Sequence, residues 1–445
     1  MAELDDAYEQ ARQAKDETTM QKLVDEAAKK AGYVKAGYHG TLSGGFTIFD
    51  KSKAKIGSNS GAGFYFSSNK SDSDANYSEV EGADNWFKAR DLAEKLQERL
   101  DESGEEELEY DGYTITADMS YDDIVEIAKK IMTKNPQTYS VYLDPGKAYI
   151  RDNNKSTNLI DVEGIEDLVD SEVDRDDFDN EDDYTDEYYT RKSDAIYEEI
   201  STAVYEGFAD VESNYEILVN VDMEGIISKL AEIAYDYEAL TWDDLIKVLT
   251  EQYIDIMTPD MTESTDGSHE IARAIVEAFG FDSIEDREVS KKFNQLKNMG
   301  NAGDTIHYIM FHPSQIKSAD TVTYDKEGKV IPLSERFNKG NNDIRWSMAA
   351  TDPKQQELSK AWKDARDEAQ EIREKLRAMK PEMDAWVDHL TKAMENGTFD
   401  EESEKYKEWE KGYLKVSQAL YDAEVKYKKA ISRSEERRVG KECRS

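Results

Sequence analysis

The spacing of hydrophobic residues changes from a helical period to a strand period near Tyr33. Before that point, residues 5–31 repeat apolar positions every three or four residues, which predicts two short helices and a helical lead-in over 1–32. After it, short apolar runs lie between glycine-bearing turns and predict strands. These strands are expected at 46–49, 64–67, 139–143, 148–150, 215–221 and 307–311.

Longer periodic segments at 84–101, 192–258 and 271–279 predict helices among these strands. The mixture predicts an α+β domain over 33–347, with the segment of about 81–213 as an acidic helical insertion. Within it, residues 163–187 are dense in Asp and Glu. They have no glycine where a calcium loop needs its sharp turn, so a solvated loop or helix face is the preferred interpretation.

The last part of the chain has a different period. Apolar residues recur with alternating spacings of four and three over 352–432, which is the pattern of heptad seams. An asparagine–glycine pair at 396–397 offers a chain reversal. We therefore expect a helical coiled-coil hairpin, with a bundle or self-association through this segment as the alternative.

Residues 433–445 resemble the translation of a common short-read sequencing adapter, so we expect this segment to be an artefact rather than natural protein. It contains the chain's single cysteine, Cys443, which then gives no information on redox chemistry.

Charge limits the classes of partner. The chain of 445 residues has a formal net charge of −41, which repels nucleic-acid phosphates. No apolar run approaches the ~20 residues of a membrane span, and the first residues lack signal-peptide character. We expect a cytoplasmic protein without nucleic-acid or membrane partners. The histidines are not spaced as metal ligands, so no metal is expected.

Four separated motifs carry the candidate chemistry. They are Tyr38-His39-Gly40-Thr41, the glycine-rich strand Gly61–Ser68, Ala75-Asn76-Tyr77, and His307–Gln315. Each is weak alone, but their order and spacing resemble the diphtheria-toxin-like and poly(ADP-ribose)-polymerase-like ADP-ribosyltransferase fold. That resemblance implies a split mixed β-sheet and a pocket for NAD, which is the substrate.

The resemblance is closer to one branch, the ADP-ribosyltransferase domains of polyvalent proteins of phages and other mobile elements. Further segments match that branch: Ala31–Tyr33, Gly280–Ile284, Gln315–Ala319, Tyr324–Gly328, Pro332–Asn338 and Asp343–Ser347. It implies an effector acting on a host protein in the host cytoplasm, delivered with phage or mobile-element DNA.

The resemblance assigns a role to each motif residue. Gly40 and Thr41 would bind the nicotinamide end through a close backbone, because glycine leaves room for the ligand. Tyr65 and Tyr77 would stack on the nicotinamide ring, and His39 would hydrogen-bond a ribose hydroxyl. The serines that end the strand, Ser67 and Ser68, would contact the carboxamide or a phosphate. The family serine three residues before Tyr77 is replaced by Asp74, with Ser73 beside it.

The main departure from the family is His307. Polymerase-like members have a catalytic glutamate there, and neutral histidine offers no anion. Asp282, Glu285 and Asp304 are candidates to supply a carboxylate. We expect a catalytic group of His39, Tyr65 and His307 and mono-ADP-ribosyl transfer rather than chain elongation. The alternatives are a catalytically silent NAD-fold interaction module of a larger polyvalent protein and, more weakly, an NAD glycohydrolase.

Overall fold

The protein, seen here in a computed structural model, is a mixed α/β structure. The structure describes residues 2–54, 58–152, 155–257, 264–288, 305–325, 327–337 and 342–345. The predicted hairpin over 352–432 and the predicted artefact over 433–445 lie outside these residues. No helix in the described ranges has the length and apolar character needed to cross a membrane.

The helices and strands are numbered in chain order. The helices are α1 (Ala2–Gln13), α2 (Glu17–Lys30), α3 (Lys70–Ser73), α4 (Ala83–Ser103), α5 (Tyr121–Met132), α6 (Val162–Glu172), α7 (Glu181–Glu212), α8 (Met223–Tyr237), α9 (Trp242–Thr250) and α10 (Ser268–Ala278). The strands are β1 (Lys35–Thr41), β2 (Phe64–Ser67), β3 (Glu107–Tyr110), β4 (Tyr113–Thr116), β5 (Gln137–Leu143), β6 (Ala148–Arg151), β7 (Glu216–Ile217), β8 (Asp255–Met257), β9 (Thr265–Asp266), β10 (Ser283–Asp286), β11 (His307–Met310) and β12 (Ile316–Ser318).

Seven strands form the main sheet in the order β12-β5-β1-β2-β11-β10-β6. Its pairs are antiparallel except for β10 with β6. β1 pairs with β5 along its whole length, whereas β1 and β2 share only the register pair Tyr38–Ser67. The sheet is therefore divided into a three-stranded and a four-stranded part that meet at this pair.

The two sides of the sheet pack on different cores. Phe64, Phe66 and Tyr308 belong to a core that also contains inward residues of β5. On the other side, Ile309 and Tyr65 pack against the large apolar core of α6–α10. Because side chains alternate along a strand, residues adjacent in β2 and β11 point to opposite sides.

The two predicted N-terminal helices are confirmed as α1 and α2. Their apolar positions repeat every three or four residues and so fall on one face, which packs with Leu333 and Phe337. The side chain of Asp16 caps α2 by accepting from the Thr19 amide. The Tyr33 hydroxyl then donates to the Ser314 carbonyl at 2.7 Å, which ties the lead-in to the segment before β12.

The strand predicted at 46–49 is wrong, since only Ile48 makes a bridge, to Asp343. Phe46 and Phe49, three residues apart, both pack around His39, which is incompatible with strand alternation. The strand predicted at 215–221 is shortened to β7, because its partner β8 has only three residues.

The range of about 81–213 is not one continuous block beside the sheet. Residues 83–132 have a core of their own, built from α4, α5 and the β3–β4 hairpin. β5 and β6, however, are strands of the main sheet, and α6 and α7 belong to its large helical core. The acidic residues 163–187 lie mostly on exposed positions of α6, the start of α7 and the link between them.

Candidate functional site

The meeting point of the two parts of the sheet is lined by buried polar side chains. Ser67 at the end of β2 pairs in register with His307 at the start of β11. Three residues after Ser67 the chain enters α3, which continues as a π-helical turn over Asp74–Ser78. We call Ser67, Asp72, Asn76, Tyr77 and His307 the junction cluster. Turns of π-helix are rare and are frequently found at functional sites.

The motif Ala75-Asn76-Tyr77 lies directly on this π-helical turn, which packs against β1 at Gly40. A Cβ added at Gly40 would lie 2.4 Å from the Ser73 carbonyl oxygen and 2.8 Å from the Tyr77 Cβ. Any larger residue would force the turn away, so Gly40 permits the close approach of strand and turn. Thr41 follows at the strand end, where its hydroxyl accepts from the Ser43 amide at 3.1 Å.

His307 is 6% exposed, and its imidazole Nε2 lies 3.2 Å from Asp72 Oδ2. Asp72 is 1% exposed and also accepts from the Asn76 amide at 2.7 Å. The ring of Tyr77 meets the ring of His307 edge to face at a centroid distance of 6.0 Å. A buried acid therefore lies beside His307, and it is Asp72 rather than one of the carboxylates predicted from the sequence.

Tyr65 lies on the same side of the sheet as Ser67 and His307, and its hydroxyl is fixed by the glycine-rich loop. It donates to the Gly61 carbonyl at 2.7 Å and accepts from the Ser60 amide at 3.2 Å. Burial raises the pKa of Tyr65 well above its usual range, so it stays neutral.

The glycine-rich loop packs against helix α10. The Ala62 amide donates to the Glu270 carboxylate, and a Cβ at Gly61 would lie 2.7 Å from the Arg273 Cβ. Arg273 is 1% exposed and pairs with Glu270 at 3.1 Å, Asp210 at 2.9 Å and Glu277 at 2.5 Å. Because a buried ion network is costly to break, it fixes the loop that orients Tyr65.

The ring of His39 lies on the other side of the sheet from Tyr65 and His307. Its Nδ1 donates to the Tyr65 carbonyl at 2.9 Å, which leaves Nε2 as an acceptor. Its ring lies 5.1 Å from Phe49 and 5.6 Å from Phe66, on the side of the sheet opposite Tyr65. Burial lowers the pKa of His39, so the imidazole is neutral near pH 7.

The predicted site residues thus form two groups. Gly40, Tyr65, Ser67, Tyr77 and His307 share one side of the sheet, whereas His39 reaches them only through the backbone of Tyr65. Ser68 has a structural role, since its hydroxyl accepts from the Ile306 amide at 2.9 Å.

The carboxylates predicted from the sequence do not lie beside His307 in the described residues. Glu285 pairs in register with Tyr308, and so lies on the opposite side from His307. Asp282 instead accepts from the Lys147 amide at 2.8 Å, and Asp304 lies outside the described residues. Sequence reasoning missed Asp72. Its one local signal is the helical spacing of four residues to Asn76, which indicates a side-chain pair but not a partner on β11.

Within the described residues, the Ser73 hydroxyl is fully buried and has no hydrogen-bond partner. Unsatisfied buried hydroxyls are uncommon, because each loses its hydration without compensation. Ser73 directly precedes the π-helical turn, and its carbonyl faces Gly40. This hydroxyl is a candidate contact for a polar ligand group.

Comparison with known proteins adds no relative: no family model, curated protein or solved structure matches this chain. The functional assignment therefore depends on the motifs and on the geometry of the site.

Proposed function

We propose that this protein is an NAD-dependent mono-ADP-ribosyltransferase whose nicotinamide site lies at the junction cluster, beside Gly40. The observation that carries the proposal is the packing of the Ala75-Asn76-Tyr77 turn on Gly40, beside His307 and Ser67. Three motifs from distant parts of the sequence meet there. The single register pair between β1 and β2 also agrees with a split sheet.

The chemistry of the residues suits NAD as the substrate. The Ser73 hydroxyl would hydrogen-bond the carboxamide, and the Tyr77 ring would stack on the flat nicotinamide ring. His39, whose ring lies on the opposite side of the sheet, would act on this site only through the Tyr65 carbonyl to which its Nδ1 donates. Cleavage of the glycosidic bond develops positive charge at the ribose, so positioning and electrostatics would provide the rate enhancement.

The resemblance to the polyvalent-protein branch extends the proposal to the biological role. The protein would be an effector of a phage or mobile element that modifies a host protein in the host cytoplasm. A catalytically silent NAD-binding module is the second candidate, favoured by the absence of the family glutamate at the buried His307.

The test uses NAD labelled in the adenylate phosphate, with host lysate as the source of acceptors. We expect the wild-type chain to bind NAD in calorimetry, release nicotinamide and transfer label to protein. Tyr77→Ala should abolish all three, because the stacking ring is lost. The control is Tyr237→Ala, which removes a ring that is 75% exposed on α8 and should behave as wild type.

Each departure from this result has a defined meaning. Binding without nicotinamide release supports the silent module, and release without transfer supports NAD hydrolysis. Absence of NAD binding by the wild-type chain, or full transfer by Tyr77→Ala, refutes the proposed site.

A further inference from the structure

The hydrogen bonds around the buried pair of Asp72 and His307 define which of the two groups donates and which accepts. Asp72 accepts from Asn76 at 2.7 Å, faces His307 Nε2 at 3.2 Å and is hydrogen-bonded by the Ser67 side chain. Burial acts to raise the pKa of Asp72, but the hydrogen bonds from His307 and Ser67 outweigh burial and lower it. Asp72 is therefore an anion at neutral pH.

An ionised carboxylate has only acceptor oxygens, so the nitrogen that faces it must carry the proton. For His307 this nitrogen is Nε2, and in the neutral ring Nδ1 is left as the acceptor. Within the described ranges, Nδ1 has no hydrogen-bond partner. The pair thus has the arrangement of a general base, His307, that is oriented by a carboxylate, Asp72.

We propose that Asp72 and His307 form a general-base pair that activates the nucleophile attacking NAD. The inference rests on the proposed function. As the bond between the ribose C1′ and the nicotinamide nitrogen breaks, its electron pair leaves with nicotinamide, which becomes neutral. The acceptor oxygen bonds to C1′, and its proton passes to His307 Nδ1. Asp72 then neutralises the imidazolium and supplies negative charge near the developing oxocarbenium ion.

This assignment identifies the class of acceptor. A base is needed only where the acceptor carries a proton that it must lose, as water or a side-chain hydroxyl does. A carboxylate acceptor needs no base. The net charge of −41 further disfavours acidic acceptor segments. We therefore expect transfer to a group that loses a proton, such as a side-chain hydroxyl, rather than to a carboxylate, with water as the competing acceptor.

The first test is Asp72→Asn, which keeps the shape but removes the charge. The new amide can donate to Nε2 and so favours the tautomer with its proton on Nδ1, which cannot accept a proton. We expect kcat for nicotinamide release to fall about 10²- to 10⁴-fold with KM unchanged. The matched control is Glu285→Gln, on the opposite side of the sheet, which should keep the wild-type kcat.

The second test determines the tautomer of His307 in the wild-type chain. Long-range ¹H–¹⁵N spectra of the ¹⁵N-histidine-labelled chain distinguish the two imidazole tautomers of its five histidines. His307, assigned from the signal lost in His307→Gln, should carry its proton on Nε2 at neutral pH. A proton on Nδ1 would overturn the base pair.

The third readout is the linkage formed. Label transferred to hydroxyl groups resists neutral hydroxylamine, whereas ester links to carboxylates are cleaved, and cleavage would overturn the acceptor class. Failure of the wild-type chain to release nicotinamide refutes the proposed function and the base together. An active chain whose Asp72→Asn variant retains full kcat refutes the base alone.

Discussion

A lysine is completely buried in β12, and its charge should make the stability of the protein depend on pH. Lys317 is 0% exposed, and its Nζ donates to the Asp343 carbonyl at 3.2 Å. Burial lowers the pKa of Lys317 from 10.5 to about 7, with the Asp343 charge acting in the opposite direction. Each pKa unit corresponds to about 1.4 kcal/mol, so holding the lysine charged in the folded state costs roughly 5 kcal/mol.

The sign of the effect follows from proton linkage. Below about pH 7 the lysine is protonated in both states, and the folded state bears the full cost. Between about 7 and 10.5 only the unfolded state binds the proton, so this residue makes stability rise with pH. Lys317→Met removes the charge at similar length. It should be more stable than wild type at pH 6.5, less any loss of the hydrogen bond to Asp343.

Urea unfolding, followed by far-ultraviolet circular dichroism at pH 6.5, 7.5, 8.5 and 9.5, measures the difference between the two proteins. We expect the advantage of Lys317→Met to shrink by about 1.4 kcal/mol per pH unit above pH 7.5. Contributions of other titrating groups cancel in this difference. The control is Lys329→Met, at an exposed turn, which should show no such slope. A pH-independent advantage for Lys317→Met would refute the neutral buried lysine.

Two further variants test the packing that forms the site. Gly40→Ala should lower the free energy of unfolding by about 1–3 kcal/mol and weaken NAD binding in calorimetry, because its Cβ would collide with the Ser73 carbonyl; unchanged urea unfolding would show that the turn does not lie on β1. Glu270→Leu should cost about 3–5 kcal/mol in urea unfolding, because it leaves Arg273 with one buried partner fewer. The loss should exceed that of Glu277→Gln, whose side chain is 30% exposed; equal losses would contradict the buried network.

Sequence patterns predicted those parts of the fold whose signals are local. The apolar spacing of α1 and α2 is seen in the structure because each of these helices buries one face, whereas α10 is buried on all sides over residues 270–276. The strand Phe64–Ser67 was predicted with its observed bounds, since a glycine-rich loop precedes it. The short strands β8, β9 and β12 were missed, because two or three residues contain no detectable alternation.

The predicted insertion illustrates the limit of composition as a guide. Acidic residues dominate the exposed positions of α6 and α7, in the segment predicted to be an acidic helical insertion. Ile196, Ile200 and Val204 nevertheless form a fully buried stripe on α7, next to the core of α10. Surface charge reports which residues meet solvent. It does not report whether the other face of the helix belongs to the main core.

The candidate site is formed by contacts between residues far apart in the sequence, which no local pattern predicts. Asp72 is one of 98 acidic residues, and its partner His307 is 235 positions away. Only the β2–β11 register and the short link into α3 bring them together. The sequence predicted that His307 offers no anion and that any carboxylate would come from a neighbouring loop. The structure places a carboxylate against that histidine, from a different element. An uncharged side chain at one motif position is therefore weak evidence that the site has no charge, because a neighbouring helix can supply it.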